Sequence, residues 1–293
     1  MMDSFLNHLQ FEKRYSPKTI ISYQTDLLQF GAFYKSLNPE ETIERASHGE
    51  IRSWIISLVE DKLDPVSINR KIACLRSFYK FLLKQEKINR DPMVKIKVLK
   101  TKKKLPHFVN ETDIVSLLDR AEFSADHTGL RDQLILELFY ATGIRLSELI
   151  HLKESNVNLR ERTIKVLGKR NKERVIPFAE SLVPLIENYK ATKRKEIGDS
   201  KNGNLLVSDS GDTLYPMMVY RIVKKYLKVF TAVEKKSPHV LRHSYATHLL
   251  NKGAEINAVK DLLGHTSLAA TQVYTHNSME KLKKVFEQAH PKA

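Results

Sequence analysis

Between Asp91-Pro92 and Leu105-Pro106 the apolar periodicity of the preceding residues stops, and Lys95, Lys97, Lys100, Lys102, Lys103 and Lys104 take its place. A run of like charges repels itself and resists burial without partners, so this stretch reads as a solvated basic linker. A single continuous core cannot run through it. The 293 residues are enough for two separate cores. The expected organisation is a helical unit over 1–98, a basic linker over 99–106 and a second unit over 107–293.

The first unit reads as helices joined by short loops. Ser16 can cap a helix that has Pro17 in its first turn, and Ile20, Tyr23, Leu27, Phe30 and Tyr34 follow at three-to-four spacing. Ser47 and Glu50 form a capping-box pattern ahead of Ile51, Trp54, Ile55 and Leu58. A third helix runs from about Ser67, with Ile72, Leu75, Phe78, Tyr79 and Leu82 on one face. These stripes are core, and Cys74 among them reads as a small buried hydrophobe. Beyond Pro106 the pattern is mixed. Helices are expected over about 111–121 and 129–140, from about Ala179, and over 220–229, 240–250 and 256–263. Thr163 to Val166 and Arg174 to Ile176 read as a hairpin around the polar 168–173 turn, and Leu205 to Val207 as a short strand before a turn at Gly211. The fold class is therefore mainly α with a small β-sheet.

Charge sets the partner. Lys and Arg number 49 against 34 Asp and Glu, giving a net charge of +15 and a pI near 9.6, a field that attracts a polyanion. No long apolar run, signal peptide or concentrated basic amphipathic helix speaks for a membrane. Nucleic acid is the expected partner, and the basic linker is placed to touch its backbone. The lone Cys74 excludes an intrachain disulfide and fits a cytoplasmic location.

The chemistry-bearing residues gather towards the end of the chain. His239, Arg242 and His243 lie in one short run, Gly264-His265 follows, and Tyr274 sits in the run from Thr271 to His276. Guanidinium and imidazole groups bind phosphate charge, and a phenol can attack phosphorus. This is an inventory for cutting a nucleic-acid backbone through a covalent protein intermediate. Upstream lie Arg145, in the run Ala141 to Leu149, and Lys169, in Gly168-Lys169-Arg170-Asn171-Lys172-Glu173-Arg174.

In this order of Arg, Lys, His-x-x-Arg, Gly-His and Tyr, from about Thr142 to His276, the chain resembles the tyrosine recombinases, most closely the bacterial Xer type. Ser16-Pro17-Lys18-Thr19 and Tyr23 resemble that family's core-binding domain. The resemblance implies an N-terminal helical, SAM-like core-binding domain and a C-terminal mixed α/β catalytic domain. It implies a site-specific DNA recombinase with catalytic residues Arg145, Lys169, His239, Arg242, His265 and Tyr274. Arg145 and Arg242 would meet charge growing on the non-bridging oxygens, for which a planar fork is suited. His239 would lie on the same helical face as Arg242, near a helix start marked by Ser237-Pro238. His265 would be a second donor to phosphate, and either histidine could accept the Tyr274 proton or only donate a hydrogen bond. Tyr274 would form a 3′-phosphotyrosyl link, and Lys169 would protonate the departing 5′ oxygen. Lys172 competes for that role, and Arg170 stands where the family commonly has a small residue.

No cofactor, metal or ATP is implied. The partners implied are a double-stranded recombination site, a second copy or a paralogue in a four-subunit synapse, and a DNA translocase as regulator. A C-terminal tail carrying Leu282, Val285 and Phe286 would contact a neighbouring protomer. The biological role implied is resolution of chromosome or plasmid dimers. Its rivals are an integrase of a phage or mobile element, a type IB topoisomerase and a DNA-binding protein without catalysis. The spacing of His239 and His243 also suits a helical zinc pair, but Val240 stands where a zincin needs Glu.

Overall fold

The computed structural model describes residues 1–101, 107–168, 173–198, 202–264 and 288–289. The chain resolves into two compact units, Met1–Lys104 and Leu105–Ala293.

The first unit is helical. Helix α1 (Met2–Asn7) runs into a π-helical turn (His8–Glu12), followed by α2 (Pro17–Leu37), α3 (His48–Glu60) and α4 (Pro65–Lys84). The Ser16 side chain accepts the Thr19 amide, and Ser47 and Glu50 exchange both bonds of a capping box, as the sequence predicts. The third predicted helix starts earlier than Ser67. Asp64 caps it by accepting the Val66 amide, and Pro65 fits its first turn, where no amide donor is required. The core joins aliphatic side chains to packed aromatic pairs, with Phe5 edge-on to Phe78 at 5.4 Å and Phe30 against Trp54 at 5.0 Å. Cys74 is buried there, and burial pushes its thiol up to about 12.

One polar feature of this unit has no signal in the apolar pattern. Asp26 on α2 is fully buried and accepts from Lys71 Nζ at 2.9 Å and from the Arg70 guanidinium, both on α4. Removing the carboxylate would leave a buried ammonium without its counter-charge. Asp26→Ala should therefore destabilise this unit by about 3–5 kcal/mol, read as a lowered urea midpoint in its unfolding transition.

The second unit is built around α6 (His127–Thr142), whose residues are nearly all buried. Helices α5 (Glu111–Arg120), α8 (Leu182–Glu196), α9 (Pro216–Phe230) and α10 (Pro238–Asn251) pack on it. A three-stranded antiparallel sheet follows the short α7 (Leu146–Ile150), in the order β1 (Val157–Asn158), β2 (Thr163–Leu167), β3 (Glu173–Pro177). The β2–β3 register pairs Thr163 with Pro177 and Leu167 with Glu173, which is the predicted hairpin. The strand expected over Leu205 to Val207 is not one. That segment forms only isolated bridges, Lys153 with Asn204 and Val207 with Thr213, while its apolar side chains fill the core. An apolar run of three residues is as compatible with a buried loop as with a strand. Helix α11 (Ile256–Leu263) follows α10 and ends at Gly264.

Candidate active site

The site begins where α6 stops. Gly143 caps α6 in the left-handed region, at φ +58°, and a Cβ there would sit 2.5 Å from the Tyr245 ring, so glycine alone fits. The chain then turns sharply into α7, placing Arg145 at its N-cap and Glu148 at its third position. Glu148 reaches back to accept the Arg145 amide at 2.9 Å and the Arg145 Nη1 at 2.8 Å.

Two more guanidiniums enter from other elements. Arg174 on β3 grips both Glu148 oxygens, at 2.6 and 2.8 Å, and Arg242 on α10 donates to the Gly143 carbonyl. All three arginines converge on the end of α11. Arg174 Nε donates to the Leu262 carbonyl at 3.0 Å, Arg242 Nη2 to Leu263 at 2.6 Å and Arg145 Nη2 to Gly264 at 2.7 Å. The last carbonyls of a helix lack intrahelical donors and carry its negative dipole end, so three successive acceptors are available to three cations. Gly264 caps that end in the left-handed region, at φ +62°.

Three cations and one carboxylate leave this cluster positive. Burial lowers the Arg242 guanidinium to about 10, with Arg145 and Arg174 adding like-charge repulsion, yet it stays charged at neutral pH. Burial alone would raise Glu148, but the Arg174 bonds and charge, joined by those from Arg145, hold it at about 2. The carboxylate is thus ionised across the physiological range. An arginine has five N–H donors. Among the described residues, Arg145 and Arg242 each turn two of theirs towards protein acceptors, so both retain donors for an anion.

His239 lies exposed on the first turn of α10, three residues before Arg242, with Ser237 and Pro238 at the helix start as the sequence predicts. Burial lowers the imidazole of His243 on the same helix, which disfavours its charged form. Among the described residues, no three His, Cys, Asp or Glu side chains gather as metal ligands. Lys169 with Lys172, His265, Tyr274 and the apolar tail positions Leu282, Val285 and Phe286 lie outside the described residues. The neighbours of two of these sites are described: β2 and β3 flank the Lys169 turn, and Gly264 immediately precedes His265.

Sequence reasoning assigned no role to Glu148 or Arg174. Each carried a signal. Glu148 stands at the capping position three residues after Arg145, and Arg174 alternates with Ile176 on the inward face of β3, where a charge must find a partner.

Residues 107–281 match the phage integrase family, and residues 2–86 match the phage integrase N-terminal SAM-like domain. The chain belongs to the phage integrase family. A tyrosine recombinase XerC of Chlorobaculum parvum is 37% identical to it, over 100% of this chain and 94% of the relative. A tyrosine recombinase XerC of Staphylococcus saprophyticus is 38% identical, over 100% of this chain and 98% of the relative. In fold the chain is similar to the XerH site-specific recombinase bound to its palindromic difH substrate. That likeness has a TM-score of 0.72 at 23% identity, covering 97% of this chain and 83% of that one. The arginine cluster lies within the 107–281 match.

Proposed function

We propose that this chain is an Xer-type site-specific recombinase that cuts and rejoins duplex DNA through Tyr274. The observation that carries the reading is the convergence of Arg145 and Arg242 on the carbonyls of Leu263 and Gly264, immediately before His265. In this reading the Tyr274 oxygen attacks the scissile phosphorus, the bond to the 5′ oxygen breaks, and a 3′-phosphotyrosyl link conserves the energy of the diester. Lys169 supplies the proton that the departing 5′ oxygen needs. The free 5′ hydroxyl of a partner strand then reverses the step, releasing the tyrosine. Arg145 and Arg242 stabilise the phosphorane charge, with His239 and His265 as further donors.

The named relatives favour the Xer role over a mobile-element integrase, since XerC proteins match this chain nearly end to end. With that role go a four-subunit synapse made with a second copy or a paralogue, regulation by a DNA translocase, and action in the cytoplasm on chromosome or plasmid dimers. No described helix is long and apolar enough to cross a membrane. The reading is tested by incubating the protein with a random duplex library, denaturing, and sequencing what stays covalently attached. A single recurrent site supports it, and the absence of covalent DNA refutes it.

Lys169 carries a separate expectation. Lys169→Ala should cleave ordinary DNA slowly but recover on a substrate with sulfur at the 5′ bridging position, because a thiolate leaves without a proton. Lys172→Ala should show little rescue. The reverse pattern would exchange their roles.

A further inference from the structure

We propose that Arg174 is a positioning residue for strand cleavage, fixing the Arg145 guanidinium through Glu148 and the end of α11 through the Leu262 carbonyl. This inference rests on the recombinase reading above.

Arg174 differs from the other two arginines in what remains free. Its side chain is 4% exposed against 24% for Arg145, and it pairs across the sheet with the buried Val166. All three of its side-chain nitrogens bond to protein, one to Leu262 and two to Glu148. It is thus directed at the site's framework, not at a ligand. Glu148 in turn holds Arg145 by amide and guanidinium, and Arg145 reaches Gly264, so β3, α7 and the end of α11 form a closed ring of bonds. Gly264 fits this ring closely. A Cβ there would lie 3.0 to 3.3 Å from the Arg174 Cδ, Nη1 and Nε.

The arrangement has an electrostatic consequence beyond rigidity. Glu148 shared between two guanidiniums cancels only part of the charge of each. Without Arg174 the carboxylate would pair with Arg145 alone and cancel more of its field at a phosphate, while Arg242 from α10 is the other cation acting on Glu148. A lysine cannot restore the geometry, because one ammonium on a flexible stem cannot meet two carboxylate oxygens and a carbonyl in one plane.

The test measures single-turnover adduct formation by the full chain at saturating occupancy, on a nicked duplex carrying the site recovered by covalent trapping. Arg174→Lys should be slowed roughly tenfold or more, while its affinity for the duplex changes less than about threefold. The decisive readout is a second duplex whose scissile phosphate has methyl in place of one non-bridging oxygen. This substrate demands less of the Arg145 charge, so the ratio of parent to variant rates should narrow at least about threefold. A purely structural role would not respond to one atom of the DNA. Unimpaired cleavage, or an equal defect on both duplexes, overturns the proposal. Should the lysine variant fail to fold by circular dichroism, the charge-neutral pair Arg174→Met with Glu148→Gln decides. Folded and slow supports positioning, whereas folded at the parent rate, or unfolded as well, overturns it. A parent chain that forms no adduct refutes the recombinase reading itself, an outcome distinct from adduct formation by parent and variant alike.

Discussion

Tyr274→Phe is expected to occupy the recombination site as tightly as the parent chain and to form no covalent adduct with it. Only one oxygen is lost, and it is the atom that would bond to phosphorus. A free phenol has a pKa near 10 and is mostly protonated at neutral pH, so attack depends on the nearby positive charge to stabilise the phenolate. Phenylalanine keeps the ring and its packing but offers nothing to deprotonate. Two other tyrosines of the second unit serve as internal controls. Tyr245 lies three residues after Arg242 on α10, but it is fully buried against Gly143, and burial pushes its phenol up. Tyr140 is buried beside His248 and shifted in the same direction. Neither can present an oxygen to DNA, so Tyr245→Phe should retain cleavage. The measurement is a denaturing gel of a nicked trapping duplex, with filter binding at several salt concentrations. Binding by parent and Tyr274→Phe should weaken along the same steep salt slope, because counterion release depends on the cationic surface and not on the phenol. An adduct formed by the Phe variant would remove Tyr274 from the mechanism.

What the sequence disclosed and what it withheld divide along physical lines. The helices of both units follow from apolar spacing and caps that act locally, such as Ser47 with Glu50 or Pro17 after Ser16. The β2–β3 hairpin was legible for the same reason, since β-prone runs flank a polar turn. Failures occurred where long-range packing overrides local preference. Leu205 to Val207 has strand-like residues but no long partner strand, and α4 begins at a cap the apolar stripe does not mark. Within the site, the ordered motif points to Arg145 and Arg242, yet their shared docking on α11 is a tertiary fact that joins positions 119 and 21 residues apart. Arg174 closes a basic run in the sequence and faces inward on β3. Its strand alternation with Ile176 held the clue, but period-two reasoning is usually applied to apolar residues alone.

Arg145→Ala and Arg242→Ala should each slow strand cleavage by roughly two or more orders of magnitude, the scale on which loss of one donor to a developing oxyanion is felt. Added chelator should leave the parent rate unchanged. The two variants should part in their stability. Arg145 is the more exposed guanidinium, and its loss leaves Glu148 still gripped by Arg174, so the fold should lose little. Arg242 is buried and supplies donors to the Gly143 and Leu263 carbonyls at the ends of two helices. Truncating it removes both partners, at about 1–3 kcal/mol for each acceptor left unsatisfied. Arg242→Ala should therefore melt several degrees below Arg145→Ala while cleaving no faster. Arg242→Lys should recover part of the stability through its charge but little of the rate, since an ammonium cannot hold two oxygens in one plane. Single-turnover cleavage at saturating protein, paired with thermal melts, separates these effects. Equal melting of the two alanine variants would show that the Arg242 carbonyl bonds contribute nothing to the fold. Cleavage by either variant at the parent rate would take that arginine out of the chemistry, and zinc-restored activity after chelation would favour a metal site over this one.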